Sequence, residues 1–261
     1  MKDLGNLKYF LGIEVARNKD CIILSQRNTY VLDLLAKTGM LDCTPVDTLI
    51  IQNHRIIEYP DQVLTDKSRY QRLVGRLIYL SHTRPDLAYA VSVVSQYMHN
   101  LRKDHMNVVM RILRCLKYAP RKGLVFCKHG YLRTSGYTDE DWAGNITNRL
   151  STSGYFMFVG GNLVTWRSKK QNVVVRSSAE AEYRGMVQEV CELLWLRSLL
   201  KSLSFKQKWS MPLHCDNTAA VDIAHNLVQH DQTKHVDIDR HFIKEKLDAR
   251  IILFPFVPSE E

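Results

Sequence analysis

The chain has no Cys-x-x-Cys pair, no internal repeat, no low-complexity tract and no apolar run of membrane-spanning length. Each absence removes a class. The six cysteines, at positions 21, 43, 115, 127, 191 and 215, are scattered rather than paired. That scatter argues against a zinc ribbon and against a disulfide framework. They read as reduced thiols used as small apolar residues in an intracellular protein, cytoplasmic or nuclear. A membrane span needs about 20 consecutive apolar residues, and no segment approaches that length. The first ten residues, MKDLGNLKYF, lack the apolar centre of a signal peptide.

What the chain does have is positive charge and enough apolar content for packed cores. Lys and Arg number 36 against 27 acids, giving a formal net charge of +9 and a pI of about 9.2. A basic chain favours anionic partners, of which nucleic acid is the commonest. Solubility alone accounts for the charge equally well. Hydrophobic residues make up 45% of the 261, too many for a disordered chain.

The two halves follow different patterns. In the first, apolar strands flank the polar Arg17-Asn18-Lys19-Asp20 turn, as in a short hairpin. Val31, Leu34 and Leu35 fall at helical spacing, and Gly39 offers a stop. Residues 44–67, with Pro45 and Pro60, read as a loop. Tyr70, Leu73, Val74, Leu77 and Ile78 predict a helix. Pro85 suits the first turn of another, whose buried stripe is Leu87, Ala90, Val91, Val94, Tyr97 and Met98. A further helix over roughly 104–118 carries Arg111, Arg114 and Lys117. These cations suit a phosphate backbone or a solvated helix face, and the sequence favours neither.

After Pro120 the pattern turns strand-like across 123–170, with Gly160-Gly161-Asn162 as a tight hairpin turn. A long helix is expected from about 179 to 203, then a short strand at 212–216, a helix from Thr218, another near 237–248 and a last strand at 251–257. This order indicates an α+β or mixed α/β fold: a helical region over 1–128, then a mixed sheet with flanking helices over 129–261.

Three acids stand out. Strand alternation places Tyr137 and Asp139 on one face and ends the strand at Asp139, leaving Glu140 and Asp141 to a solvated turn. Ser177-Ser178-Ala179-Glu180 fits a capping box, which gives Glu180 a structural role. At ~100° per residue, Glu182 falls on the core-facing stripe of Met186, Leu193, Leu196 and Leu200. A carboxylate there is expensive unless a cation offsets its charge. Asp216, at a strand end, is either a helix N-cap or the third member of a cluster. Converging carboxylates suit Mg²⁺ or Mn²⁺, and two such ions about 4 Å apart can promote phosphodiester hydrolysis. His235-x5-His241 is a weak half of a zinc motif with no second pair beside it. Arg167, Lys169, Lys170 and Arg176, with Trp166, make either a nucleic-acid-binding edge or an exposed basic hairpin.

Several stretches are similar to one family. TDEDWAG, RLSTSGY, GGNLVTWRSKKQ, VRSSAEAEYRGM, ELLWLRSLL, HCDNTAA and TKHVDIDRHFIKEK resemble the ribonuclease H domain of copia-type retrotransposon Pol polyproteins. MKDLGNLKYFLGIEV, YQRLVGRLIYLSHTRPDLAYAVSVVSQYM and MRILRCLKY resemble the C-terminal thumb and connection part of the reverse transcriptase. The resemblance implies an RNase H-like fold that cleaves the RNA strand of RNA–DNA hybrids, with two Mg²⁺ or Mn²⁺ ions in an intact site. It assigns Asp139, Glu182 and Asp216 as catalytic metal ligands. It also implies a polymerase palm and fingers upstream and no membrane partner.

Two departures qualify this. The polymerase signature Tyr-x-Asp-Asp is missing, since Glu140 stands last in Tyr137-Thr138-Asp139-Glu140. The family's fourth acid follows Val-Pro-Ser-Glu-Glu, where this sequence stops at Glu261, so impaired activity is expected. The alternatives are a non-catalytic retroelement relic that folds and binds nucleic acid, and an unrelated metal-dependent phosphatase.

Overall fold

A computed structural model describes residues 7–50, 66–99, 101–145, 148–225 and 234–258, with no side-chain description at 27–29 and 234–237. The expected loop lies partly outside the described residues, as do His230 and the side chain of His235. The chain divides into two compact units, Met1–Lys128 and His129–Glu261.

In the first unit, strands β1 (Tyr9–Phe10), β2 (Ile13–Arg17), β3 (Cys21–Ser25) and β4 (Gly123–Cys127) form an antiparallel sheet in that order. The β2–β3 turn closes on Asn18, whose Oδ1 accepts from the N–H groups of Asp20 and Cys21. Helices α1 (Asp33–Lys37), α2 (Lys67–Leu80), α3 (Ala88–Ser95) and α4 (Lys103–Tyr118) follow their apolar spacing. Asp66 caps α2, accepting from the Arg69 N–H at 3.0 Å. Leu34, Leu35, Tyr70, Val74, Leu77, Leu87, Val91, Ile112 and Leu116 share the core. Burying each such aliphatic side chain contributes about 2 kcal/mol before its entropy cost.

Arg84 is buried beside this core. Its Nε and Nη2 donate to the two Asp86 oxygens at 2.9 and 2.8 Å, and its Nη1 to the Ala119 carbonyl at 3.0 Å. Such a forked pair satisfies a guanidinium that would be costly alone. It also holds the Asp86 carboxyl below the usual carboxylate range, the Arg84 bond and charge outweighing burial.

One sequence expectation changes here. Cys21 and Cys127 are not free thiols: antiparallel register sets them opposite one another, Cα atoms 4.1 Å apart, and they form a disulfide. Their separation of 106 residues hid a pairing that only the β3–β4 ladder creates. Arg111, Arg114 and Lys117 are half-buried on α4. They tie down the segment after α1, donating to main-chain carbonyls of Thr48, Thr44 and Cys43 respectively.

The second unit holds β5 (Thr134–Asp141), β6 (Thr152–Val159), β7 (Asn162–Lys170), β8 (Met211–His214) and β9 (Ile252–Leu253), ordered β7-β6-β5-β8-β9. The first three form an antiparallel meander, while β8 and β9 run parallel, which makes the sheet mixed. Gly160 and Gly161 turn the β6–β7 hairpin with φ of 56° and 74°. Both values lie in the left-handed region that glycine tolerates best, as a two-residue hairpin turn requires. Helices are α5 (Ser178–Ser202), α6 (Thr218–His225) and α7 (Lys234–Asp248). Met186, Val190, Leu193 and Leu196 of α5 pack with Met157, Leu213, Ile243 and Phe254. Among the described residues, no helix is long and apolar enough to cross a membrane.

Candidate metal centre

Strand β5 carries two faces of opposite character. Thr134, Gly136, Thr138 and Glu140 are buried, whereas Tyr137, Asp139 and Asp141 are exposed. Asp139 and Tyr137 therefore share a face, as alternation predicts. The strand runs two residues further than expected, through Asp141. Glu140 is consequently no solvated turn residue: continued alternation turns it inward to 9% exposure.

Helix α5 is capped by Ser177, whose Oγ accepts from the Glu180 N–H at 3.2 Å. The Glu180 carboxylate reaches back one residue further than a capping box requires, accepting from the Arg176 N–H at 3.2 Å. It also pairs with Arg184 one turn later. Glu180 is thus occupied structurally, and Glu182, 4% exposed, faces the sheet. Strand β8 pairs with β5 only at Gly136 and Tyr137. Past that point the Glu140 N–H donates to Glu182 Oε1 at 3.1 Å.

Asp216 follows β8 and its single further bridge, Cys215 to Phe256. The cap of α6 is Asn217, whose Oδ1 accepts from the Ala220 N–H at 3.0 Å. Asp216 is therefore not needed as the cap. Glu182, Cys215 and Asp216 present ligand atoms within 4.8 Å of one another. Asp139 stands outside that tight group but close enough for its charge to act on Glu182. Burial, then the Asp216 and Asp139 charges, push Glu182 up to about 7. Asp139 is raised by desolvation first and by Asp216 second. Mutual repulsion of this kind is relieved by a cation.

The donor set decides which cation fits. Burial pushes the Cys215 thiol up to about 12, so it stays protonated, with its Sγ 3.8 Å from Glu182 Oε2. A neutral thiol is a poor ligand. The remaining donors are hard carboxylate oxygens, which suit Mg²⁺ or Mn²⁺.

Beneath the cluster lie acids that the sequence reading did not select. Glu140 Oε2 accepts from Ser153 Oγ at 2.8 Å and Gln171 Nε2 at 2.9 Å. Burial still pushes Glu140 up to about 8, with the Glu182 charge adding to it. Glu189, 1% exposed, is raised well above its ordinary value by burial.

The basic residues divide. Arg167 and Lys169 are exposed on β7, and Arg176 is exposed just before α5. Lys170 is half-buried, which lowers its pKa. It belongs to the opposite face of β7 from Lys169, by alternation. Trp166 is half-buried across from Phe156.

The chain is similar to Pol polyproteins along nearly its whole length. It is 41% identical over 249 residues to the Retrovirus-related Pol polyprotein from transposon RE1 of Arabidopsis thaliana, covering 95% of this chain and 17% of that one. To the corresponding polyprotein from transposon TNT 1-94 of Nicotiana tabacum it is 34% identical, covering 95% and 19%. The chain belongs to the copia-type retrotransposon Pol polyprotein family. This copia-type chain spans under a fifth of the length of those relatives. It is also 38% identical to an uncharacterized mitochondrial protein of Arabidopsis thaliana, covering 75% of this chain and 80% of that protein. No family model matches it.

Among solved structures, the copia-type chain is similar to the foamy viral protease-reverse transcriptase dRH in complex with ds DNA. The TM-score is 0.54 at 9% identity, covering 97% of this chain and 38% of that one. It is also similar to LC11-RNase H1, with a TM-score of 0.36 at 15% identity, covering 48% and 84%. The expected mixed α/β fold, a mixed sheet with flanking helices, is the one the copia-type chain adopts.

Proposed function

We propose that the second unit is a ribonuclease H domain that cleaves the RNA strand of RNA–DNA hybrids. The observation that carries this reading is the approach of Glu182, in the first turns of α5, and Asp216, just past β8, to within 4.8 Å, with the Asp139 charge beside them. Membership of the Pol polyprotein family supports it. So does a further similar structure, that of the foamy viral protease-reverse transcriptase in complex with RNA/DNA hybrid, with a TM-score of 0.50. The first unit, on the same reading, is the thumb and connection part of a reverse transcriptase. Its partners in the longer polyprotein are the palm and fingers.

Asp139, Glu182 and Asp216 would hold Mg²⁺ or Mn²⁺. Divalent ions there would supply charge neutralisation and activation of water for phosphodiester hydrolysis. The protein's own contribution is placement. The Glu140 N–H and the Cys215 thiol orient the two Glu182 oxygens. Asn217 caps α6 and leaves Asp216 to the cluster. Arg167, Lys169 and Arg176 lie exposed where cations can meet hybrid phosphates. Lys170 is a weaker candidate, because it is partly desolvated. Arg111, Arg114 and Lys117 each already hold main-chain carbonyls and contribute less to phosphate binding.

The purified chain, given a labelled RNA–DNA hybrid with Mg²⁺ or Mn²⁺, is expected to release short RNA products while leaving the DNA strand whole. EDTA should abolish this. Hybrid binding with no cleavage under either ion would point instead to a non-catalytic relic.

A further inference from the structure

Glycine at 185 is the odd residue in the first turns of α5. A Cβ added there would overlap Glu140 Oε1. The notch that glycine leaves is therefore filled by a carboxyl from the facing strand. Its other oxygen is gripped by Ser153 of β6 and by Gln171, the residue just past β7. Gln171 is itself buried, and its N–H donates to the Ser151 carbonyl at 2.8 Å. Its side-chain Nε2 lies 2.9 Å from Glu140 Oε2, 3.1 Å from Ser153 Oγ and 3.1 Å from the Ala181 carbonyl. Ala181 immediately precedes Glu182. One amide thus joins β5, β6 and the start of α5, beside the Glu140 N–H that holds Glu182 Oε1.

We propose that Glu140, seated in the Gly185 notch and clamped by Gln171 and Ser153, is a positioning residue that sets the spacing of α5 from β5 and so places Glu182 in the acid cluster. The role rests on reading Glu182 as a metal ligand. The Glu140 carboxyl faces Gly185 and is not a member of the Glu182, Cys215 and Asp216 group. Its effect runs through helix placement, so shape and hydrogen bonding matter more than charge.

The test is Mn²⁺ affinity, measured by calorimetry on the full chain, in four variants. Gly185→Ala wedges the helix off the strand and should weaken Mn²⁺ binding about tenfold, the range seen when outer-shell partners of a metal site are lost. Glu140→Ala should weaken it similarly by emptying the notch. The double variant Glu140→Ala/Gly185→Ala refills the notch with a methyl and should recover to within about twofold of the wild type, since contacting residues couple. Glu140→Gln keeps size and hydrogen bonding and should stay near the wild type. Single variants that fold and bind Mn²⁺ as the wild type does would overturn the proposal. So would a double variant no better than the worse single one. If the wild type binds no Mn²⁺, the metal reading fails by itself. Hydrogen exchange at the Glu140 amide then decides the clamp. Protection should fall in Gly185→Ala and return in the double variant, and unchanged protection would overturn it.

Discussion

Glu182→Gln and Asp216→Asn are each expected to lower hybrid cleavage by at least about 100-fold. Loss of outer-shell partners of a metal site costs about 10- to 100-fold, and loss of a ligand should cost more. Both substitutions keep size and most hydrogen bonding but remove charge, so a loss reports the charge. The same variants should make the metal-free protein more stable. Glu182 is pushed up to about 7 by burial and by the Asp216 and Asp139 charges, which means its ionised form opposes folding. Removing one charge from such a cluster should raise stability by about 1 kcal/mol, the usual direction when a functional site is neutralised. Steady-state cleavage and thermal melting in EDTA read the two effects on the same preparations. A variant that loses activity and stability together would indicate misfolding rather than loss of a ligand.

Metal-free protein should also lose stability as the pH rises from 5 to 8, by on the order of 4 kcal/mol. Unfolded glutamates release their protons near pH 4.5. In the folded state Glu140 keeps its proton to about 8 and Glu182 to about 7, both chiefly because of burial. Glu189 and Asp139 are raised in the same direction. Between those limits the folded state binds more protons than the unfolded one, so stability falls with rising pH. His214, lowered by burial, works the other way near its ordinary value and offsets a small part. Urea denaturation in EDTA at pH 5 and pH 8 measures the slope. Glu140→Gln should remove much of it, because a neutral amide has no ionised form to penalise. Added Mn²⁺ should recover part of the loss at pH 8 by favouring the ionised Glu182.

The sequence showed the cluster's outline and missed its floor, for traceable reasons. Stepping around the helix separated Glu182 from Glu180, because amphipathic periodicity survives in a helix that packs on a sheet. The same stepping puts Glu189 only about 20° from Glu182. An acid inside an apolar stripe is easily passed over when apolar residues define the stripe. Glu140 escapes notice because the acidic run Asp139-Glu140-Asp141 looks like a turn, yet β5 continues through it. Two more residues of alternation turn it inward. Gly185 gave a local hint, but what fills its notch comes from a strand 45 positions earlier. Asn217 caps α6, a distinction from Asp216 that rests on side-chain geometry the sequence does not carry. In the first unit the helices follow apolar spacing, except that α3 ends at Ser95, short of Tyr97 and Met98. The disulfide does not, because it depends on β3–β4 register across 106 residues.

We propose that Asp139, Glu182 and Asp216 act together as one divalent-metal site. Calorimetric titration of Mn²⁺ into the metal-free chain at pH 7 tests it most directly. The geometry predicts saturable binding with proton release, since Glu182 titrates at about 7 and must ionise to bind. Affinity should fall at least about tenfold in Glu182→Gln and in Asp216→Asn, and also in Asp139→Asn. Equal Mn²⁺ affinity in the wild type and all three variants would show that these acids do not share a metal site.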